Sequence, residues 1–204
     1  AETLCRLSKA GISVPETMLV SNPVDTEALI EVFERFDSPV VLKPNSTSRG
    51  TGVTLAHDVD SFLGIADYLD LVHDFRATGD RSFLVQEYLP DARDFRAMVI
   101  DGTYVGAVER RLSSTQRQQG RWKHNVHRGG DPTSVELDPE LKRLAEQTAE
   151  TLDIPVVGVD ILQTDDRVVV SETNARPTID APEKYVSDFW QRLTNIIRQT
   201  AKNR

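Results

Sequence analysis

Short apolar runs alternate along this chain with longer stretches whose apolar residues recur every three or four positions, which predicts strands alternating with helices. Gly11, a common helix-stop residue, ends the first helical stretch. The predicted elements up to residue 88 are a helix over 3–10, a strand over Thr17–Val20, a helix starting at Asp25 or Thr26, strands over Val40–Leu42 and Val53–Ala56, a helix over Asp58–Val72 and a buried strand over Ser82–Tyr88. This order predicts a βαββαβ lobe.

After residue 88 the pattern predicts more hairpins. Asp101-Gly102 is typical of a tight turn between two strands. The predicted elements are strands over Phe95–Ile100 and Thr103–Val108, a helix from Asp138 or Pro139 to about Leu152, strands over Val156–Leu162 and Val168–Asn174, and a closing helix from about Pro182 to Thr200. We therefore predict an α+β protein with two lobes, 1–88 including the leading helix and 89–204, joined near Leu89-Pro90.

The composition narrows the class of protein. Of 204 residues, 39% are hydrophobic and 27% are charged, which is typical of a folded chain and too apolar for a disordered one. No run approaches the roughly 18 apolar residues of a membrane span, and no secretory leader is recognisable at the start. A single cysteine, Cys5, excludes an internal disulfide or a cysteine-based zinc cluster. We expect a cytoplasmic protein without a membrane partner.

The positive charges are unevenly distributed. The chain has a formal net charge of -8, yet the segment from Arg110 to Gly130 contains no acidic residue. Six basic residues lie in it: Arg110, Arg111, Arg117, Arg121, Lys123 and Arg128. A local basic segment in an acidic protein predicts an anionic ligand at one place and disfavours nucleic acid as a partner.

Two predicted strands carry a candidate metal site. Glu172 and Asn174 are two apart on one strand, so their side chains leave the same face. If the preceding loop is centred on Asp166, Asp160 lies opposite Glu172, whereas a two-residue turn places Ser171 opposite Asp160. Two carboxylates and an amide oxygen are the ligands that Mg²⁺ prefers. The alternative is that the three residues line the solvated face of a hairpin.

Three other segments carry candidate nucleotide ligands. Lys43 ends a strand before the small-residue loop that contains Gly50 and Gly52, which could bind phosphate or form a plain hairpin loop. The strand that ends at Glu87 and Tyr88 could hold a purine, and Asp94 a ribose. The loop with His127 and Arg128 either binds phosphate or is ordinary surface.

Taken together, these motifs resemble the RimK-type branch of the ATP-grasp ligases. The resemblance extends from about Gly11 to Asn174. It rests on the order and spacing of Val41-Leu42-Lys43-Pro44, Gly50-Thr51-Gly52-Val53, Leu84–Tyr88, Glu109-Arg110-Arg111, Asn125-Val126-His127-Arg128-Gly129-Gly130, Gly158-Val159-Asp160 and Glu172-Thr173-Asn174. It implies an ATP-grasp fold with the nucleotide between the two lobes.

The resemblance also implies roles for single residues. Lys43 and the loop glycines Gly50 and Gly52 would contact ATP phosphates, the backbone near Glu87 and Tyr88 would hold adenine, and Asp94 would meet the ribose. Lys123 and Asn125 would also bind ATP, although the family often has arginine in place of Lys123. Arg110 or Arg111 would neutralise the transferred phosphoryl group, and Asp160, Glu172 and Asn174 would hold two Mg²⁺ or Mn²⁺ ions.

The activity that the resemblance implies is an ATP-dependent carboxylate–amine ligase. It would form an amide through an acyl phosphate, with a carboxylate substrate and an amino acid such as glutamate as partners, and a homo-oligomer stays open. Thr47 stands where the family usually has its first loop glycine, and Ala175-Arg176-Pro177-Thr178 differs from the usual stretch after the last motif. The chain also begins where the family's preceding domain normally ends. The alternative is therefore a nucleotide-binding module without ligase activity.

Overall fold

The computed structural model describes residues 1–22, 24–45, 51–75, 80–123, 131–177, 184–186 and 188–202. The chain falls into two units. One consists of Ala1 and Pro15–Pro90, and the other consists of Glu2–Val14 and Asp91–Arg204. None of the described helices combines the length and the apolar composition that a membrane span needs.

The elements up to Pro90 follow the predicted order. They are α1 (Glu2–Lys9), β1 (Thr17–Ser21), α2 (Thr26–Glu34), β2 (Val40–Pro44), β3 (Thr54–Ala56), α3 (Val59–Phe75) and β4 (Ser82–Glu87). The four strands form an antiparallel sheet in the order β1-β4-β2-β3. The predicted βαββαβ succession from β1 to β4 is confirmed.

Helices cover one face of this first sheet. Asp25 caps α2, because its Oδ1 accepts a hydrogen bond of 2.9 Å from the Ala28 N–H. Phe33 of α2 and Phe62 of α3 pack ring against ring over Phe83, within a buried apolar cluster. Side chains alternate along a strand, so Lys43 and Gln86 lie on the other face. The helix-covered face is structural, and the other face presents the candidate phosphate ligand.

The second unit contains a larger sheet. Its elements are β5 (Arg93–Ile100), β6 (Thr103–Arg111), α4 (Ser114–Gln118), β7 (Asp131–Val135), α5 (Pro139–Leu152), β8 (Val156–Gln163), β9 (Val168–Asn174) and α6 (Phe189–Lys202). The strands are antiparallel in the order β7-β6-β5-β8-β9. The hairpin at Asp101-Gly102 and the helix up to Leu152 are confirmed.

The leading helix belongs to this second unit, which differs from its predicted place in the first lobe. Leu7 of α1 and Ile12 after it are buried in the same cluster as Leu141 and Ala145 of α5. In addition, the Val170 N–H of β9 donates 2.9 Å to the Ser13 carbonyl oxygen. A short helix belongs to the unit against which its apolar side is buried. The order of elements along the chain does not reveal that packing.

Two elements, α4 and β7, were not predicted from the sequence, and the closing helix α6 begins later than predicted. The one-turn helix α4 is fixed by a reciprocal capping box of Ser113 and Gln116, with little apolar character to reveal it. Strand β7 contains Pro132 and lies at the sheet edge, where a missing N–H is tolerated. The closing helix begins at Phe189 instead of about Pro182, while positions 181–183 and 187 lie outside the described residues.

Candidate functional site

One face of the second sheet has a polar end made by three adjacent strands. Arg96 of β5 lies opposite Asp160 of β8, which lies opposite Glu172 of β9. Asn174 lies two residues further along β9, on the same face. Arg110 of β6 joins them from the other side of β5. This face therefore collects three of the predicted metal and phosphate ligands from β8 and β9 and one from β6.

A β-bulge sets the pairing of Asp160 with Glu172. Near the turn, Gln163 pairs with Val168 and Ile161 with Val170, which is the register that would place Ser171 opposite Asp160. The register shifts between Asp160 and Ile161, so Glu172 takes that place. The Ser171 hydroxyl donates 3.2 Å to the Asp160 carbonyl oxygen. Without the extra residue, Glu172 would point to the opposite face.

Asp160 is buried and binds two arginines. The Nε and Nη2 of Arg96 donate to its two carboxylate oxygens, each at 2.7 Å. The Nη2 of Arg110 lies 3.2 Å from Asp160 Oδ2. Because a buried carboxylate is costly without a partner, these arginines account for a charge inside a Val- and Ile-rich strand.

Arg110 joins Asp160 to a second carboxylate. It is buried, and its Nε donates 3.1 Å to Oδ1 of Asp94, which its Nη2 also contacts. Burial lowers the pKa of Arg110, but the charges of Asp160 and Asp94 outweigh that effect, so its pKa is raised overall. Arg110 is therefore a fixed positive charge, held on the same face as the candidate metal ligands.

The donors of the predicted metal site fit a hard divalent cation. Within the described parts of the chain, no group of three or more His, Cys, Asp and Glu side chains could hold a metal ion, and the third ligand of the predicted set is the amide of Asn174. Its Nδ2 is buried without a hydrogen-bond partner. An Nδ2 without an acceptor beside two carboxylates is consistent with an oxygen-ligated site in which the amide turns its Oδ1 to a cation.

The opposite face holds Arg111, so the two arginines proposed for the phosphoryl group are separated. The Nη2 of Arg111 donates 2.6 Å to Oε2 of buried Glu109, and Arg93 donates 3.0 Å to each oxygen of the same carboxylate. Hydrogen bonds from Arg93, and then from Arg111, lower the pKa of Glu109 to about 2 against the effect of burial. Of the two alternatives, only Arg110 lies beside Asp160.

Lys43 of the first unit lies at the end of a polar row on its sheet. Its Nζ donates 2.9 Å to Oε1 of Gln86, whose Nε2 donates 2.7 Å to the Thr17 hydroxyl. Glu87, at the end of β4, accepts 2.6 Å from the Glu16 N–H. Gly52 has a φ of +77°, and a Cβ there would lie 2.8 Å from Pro44 Cγ, so this turn requires glycine.

The remaining predicted residues are only partly described. Tyr88 follows the last residue of β4, and the Nζ of Lys123 lies 5.3 Å from the centroid of the Trp122 ring. Gly50, Asn125, His127 and Arg128 lie outside the described residues. Sequence reasoning assigned no role to Arg96. The signal was its position two residues after Asp94 on one strand, which places both side chains on one face.

Comparison with known proteins identifies the family. The model of the RimK-like ATP-grasp domain matches residues 1–196. A probable alpha-L-glutamate ligase of Citrobacter koseri is 32% identical over 187 residues, and so is the ribosomal protein bS6–L-glutamate ligase of Escherichia coli O139:H28. Each alignment covers 87% of this chain and 55% of the relative. The chain thus spans about half the length of these curated relatives.

Solved structures show the same fold. A RimK domain ATP-grasp protein of Sphaerobacter thermophilus matches with a TM-score of 0.62 and 26% identity, over 84% of this chain and 56% of its own. The D-alanine–D-alanine ligase of Bacillus anthracis, solved with ATP, matches with a TM-score of 0.65 and 18% identity, over 86% and 53%. The ATP-grasp ligase PsnB, solved with a minimal precursor, Mg and ADP, matches with a TM-score of 0.60 and 20% identity, over 89% and 51%. The predicted α+β ATP-grasp fold is confirmed, and the chain belongs to the RimK-like ATP-grasp domain family.

Proposed function

We propose that this chain carries the ATP-binding and catalytic residues of an ATP-dependent carboxylate–amine ligase. The observation that supports the proposal best is the polar face on β5, β6, β8 and β9. There two arginines, three carboxylates and the amide of Asn174 are collected on one face of the sheet, and Arg110, Asp94 and Asp160 among them are buried. Family membership and the names of the glutamate ligase relatives point to the same class of reaction.

The proposed reaction has two steps. The γ-phosphoryl group of ATP passes to a carboxylate oxygen of the acid and ADP leaves. The nitrogen of an amino acid such as glutamate then attacks the acyl carbon, an amide forms and phosphate leaves. Phosphoryl transfer asks the protein mainly for positioning and charge neutralisation. Arg110, fixed by Asp94, would supply the positive charge in this step.

The remaining site residues take binding roles in the proposal. Lys43 and the loop with Gly50 and Gly52 would bind phosphate, while Lys123 and Asn125 would bind elsewhere on the nucleotide. The backbone at Glu87 and Tyr88 would hold adenine. Asp94 would bind the ribose while it keeps its hydrogen bonds to Arg110, because a carboxylate has about four lone-pair sites.

Asp160, Glu172 and Asn174 would hold Mg²⁺ or Mn²⁺, and we propose two ions. A bound divalent cation would neutralise charge on phosphate oxygens. The support for this ligand set is the cross-strand pairing of the two carboxylates and the buried, unpaired Nδ2 of Asn174 beside them. The PsnB structure was solved with Mg and ADP, which supports binding of a magnesium ion together with a nucleotide here.

Calorimetry tests the metal set. We expect Asp160→Asn with Glu172→Gln to weaken Mg²⁺-dependent binding of an ATP analogue by about 100-fold or more, because even outer partners of a metal site are typically worth about 10- to 100-fold. Arg93→Gln, on the opposite face of the same sheet, is the matched control and should keep the affinity. Unchanged metal-dependent affinity in the double variant would contradict the ligand set.

Phosphate release tests the reaction. The complete natural protein is incubated with ATP, Mg²⁺, candidate acids and glutamate, and phosphate and the amide product are followed. We expect release that requires both the acid and the amine. ATP binding without phosphate release for every pair would instead identify a nucleotide-binding module without ligase activity.

A further inference from the structure

The guanidinium of Arg96 lies beside the two carboxylates of the proposed metal site, Asp160 and Glu172. Its Nε and Nη2 bind both oxygens of Asp160 at 2.7 Å. The negative charge of Glu172, directly opposite Asp160, also acts on the Arg96 guanidinium. One guanidinium therefore binds one of the two carboxylates that are proposed to hold a divalent cation and is attracted by the other.

The aliphatic part of the Arg96 side chain lies near the strand position that pairs with Asn174, the third proposed metal ligand. A Cβ added to Gly158 would lie 3.5 Å from Cδ and 3.7 Å from Cγ of Arg96. Gly158 is the cross-strand partner of Asn174, the third proposed ligand, whose buried Nδ2 has no hydrogen-bond partner. The Arg96 side chain thus passes over the strand position paired with Asn174 and ends on Asp160.

Arg96 is held less firmly than Arg110. Its side chain is 25% exposed, against 7% for Arg110. Arg110 binds both Asp94 and Asp160, so moving it away would remove an ion-pair partner from two buried carboxylates. If Arg96 leaves, Asp160 keeps Arg110. The charge of Arg110 also acts against that of Arg96, which makes Arg96 the arginine that an incoming cation can displace.

We propose that Arg96 is a positioning residue that competes with the divalent cation for Asp160, serving as the counter-charge until the cation displaces it. This inference rests on the proposed function, because it takes Asp160 and Glu172 as metal ligands. The displaced guanidinium needs a new anion, and a phosphate or carboxylate group matches its planar pair of donors. Metal binding and anion binding are then coupled: each favours the other.

Mn²⁺ binding without nucleotide tests the competition. The electron paramagnetic resonance signal of free Mn²⁺ is titrated with the complete natural protein, which measures affinity independently of activity. We expect Arg96→Gln to bind Mn²⁺ about tenfold more tightly, since the cation no longer has to break charge-assisted hydrogen bonds to Asp160. Arg96→Lys should fall between the two, because lysine keeps the charge but lacks the paired donors. Arg93→Gln is the matched control and should bind like the natural protein.

Two results would overturn the inference. One is an Arg96→Gln affinity equal to or weaker than that of the natural protein, including no binding by either. The other is a gain that persists in Arg96→Gln with Asp160→Asn, because the cation would then bind elsewhere. If Arg96→Gln fails a thermal-melting check of its fold, Arg96→Lys decides, and a lysine variant that binds no more tightly overturns the inference.

Phosphate release is measured separately on the natural protein. Tighter Mn²⁺ binding by Arg96→Gln in a protein that never releases phosphate would support the competition and contradict the ligase. Phosphate release with an unchanged Mn²⁺ affinity would do the reverse.

Discussion

The two faces of the second sheet each carry a buried carboxylate bound by two arginines. On one face Asp160 binds Arg96 and Arg110. On the other face Glu109 binds Arg93 and Arg111. Each cluster has one carboxylate and two arginines, yet only the first face has the other groups that a ligand site needs.

The difference lies in what surrounds each carboxylate. The arginines of Glu109 are 54% and 61% exposed, so solvent solvates both of them. The guanidinium carbon of Arg93 also lies 4.7 Å from the centroid of the Phe95 ring, which is within cation–π distance. Arg110 is buried and also binds Asp94, while Glu172 and the amide of Asn174, whose Nδ2 has no hydrogen-bond partner, lie nearby. A carboxylate with two arginines therefore does not identify a site unless a buried charge and further polar groups accompany it.

Replacing Arg110 should have the largest effect in this comparison. Arg110→Gln leaves Asp94 without its buried partner and Asp160 with Arg96 alone, so we expect a loss of about 3–5 kcal/mol in the free energy of unfolding. We also expect phosphate release to fall by about 100- to 1,000-fold, as for other groups that neutralise transition-state charge. Urea unfolding and the phosphate assay measure the two effects.

Arg93→Gln is the matched control on the other face. It removes an arginine from a carboxylate of equal burial, but Arg111 remains and the lost partner was solvated. Equal loss of phosphate release in the two variants would break the distinction between the faces.

Replacing Glu109 should have an intermediate effect that depends on pH. The fold lowers the pKa of Glu109 to about 2 from an unfolded value near 4.3, so its stabilisation is present above about pH 4.3 and is lost as the pH falls towards 2. We expect Glu109→Gln to lose about 1–2 kcal/mol at pH 6, because both arginine partners are solvated. The difference from the natural protein should shrink at pH 3. Unfolding at the two pH values measures it, and a difference that grows at pH 3 would contradict this assignment.

Replacing Arg111 should have the smallest effect. Its guanidinium is exposed, and Glu109 keeps Arg93, so Arg111→Gln should cost less than about 1 kcal/mol of unfolding free energy. Its loss of phosphate release should be far smaller than that of Arg110→Gln. If Arg111→Gln and Arg110→Gln lose phosphate release equally, Arg111 has to be included in the proposed site.

Most of the architecture was accessible from local patterns. The periodicity of Leu29 and Phe33 predicts α2, and of the two predicted cap residues, Asp25 and Thr26, it is Asp25 that caps the helix. The alternation around Asp101-Gly102 likewise predicts the β5–β6 hairpin. The place of α1 was not accessible, because the burial of Leu7 against α5 joins residues more than 130 positions apart. Strand β7 was missed because its pairing with β6, not its own composition, makes it a strand.

The candidate site divides in the same way. The two-residue spacing of Glu172 and Asn174 shows from the sequence that they share a face. The spacing of Arg110 and Arg111 shows that they do not, but it cannot say which of them lies beside Asp160. The pairing of Asp94 with Arg110 across β5 and β6 answers that question.

The sequence by itself determined the elements, their order and the residue types of a RimK-like ATP-grasp domain, because helix and strand periods and short motifs are local properties. Tertiary structure decided that a bulge brings Glu172 opposite Asp160, that Arg110 and not Arg111 lies there, and that Arg96 binds Asp160. These outcomes depend on register and on the burial of charge, where a shift of one residue turns a side chain to the other face. Pairing between distant strands fixes that register, and no local window of the chain contains it.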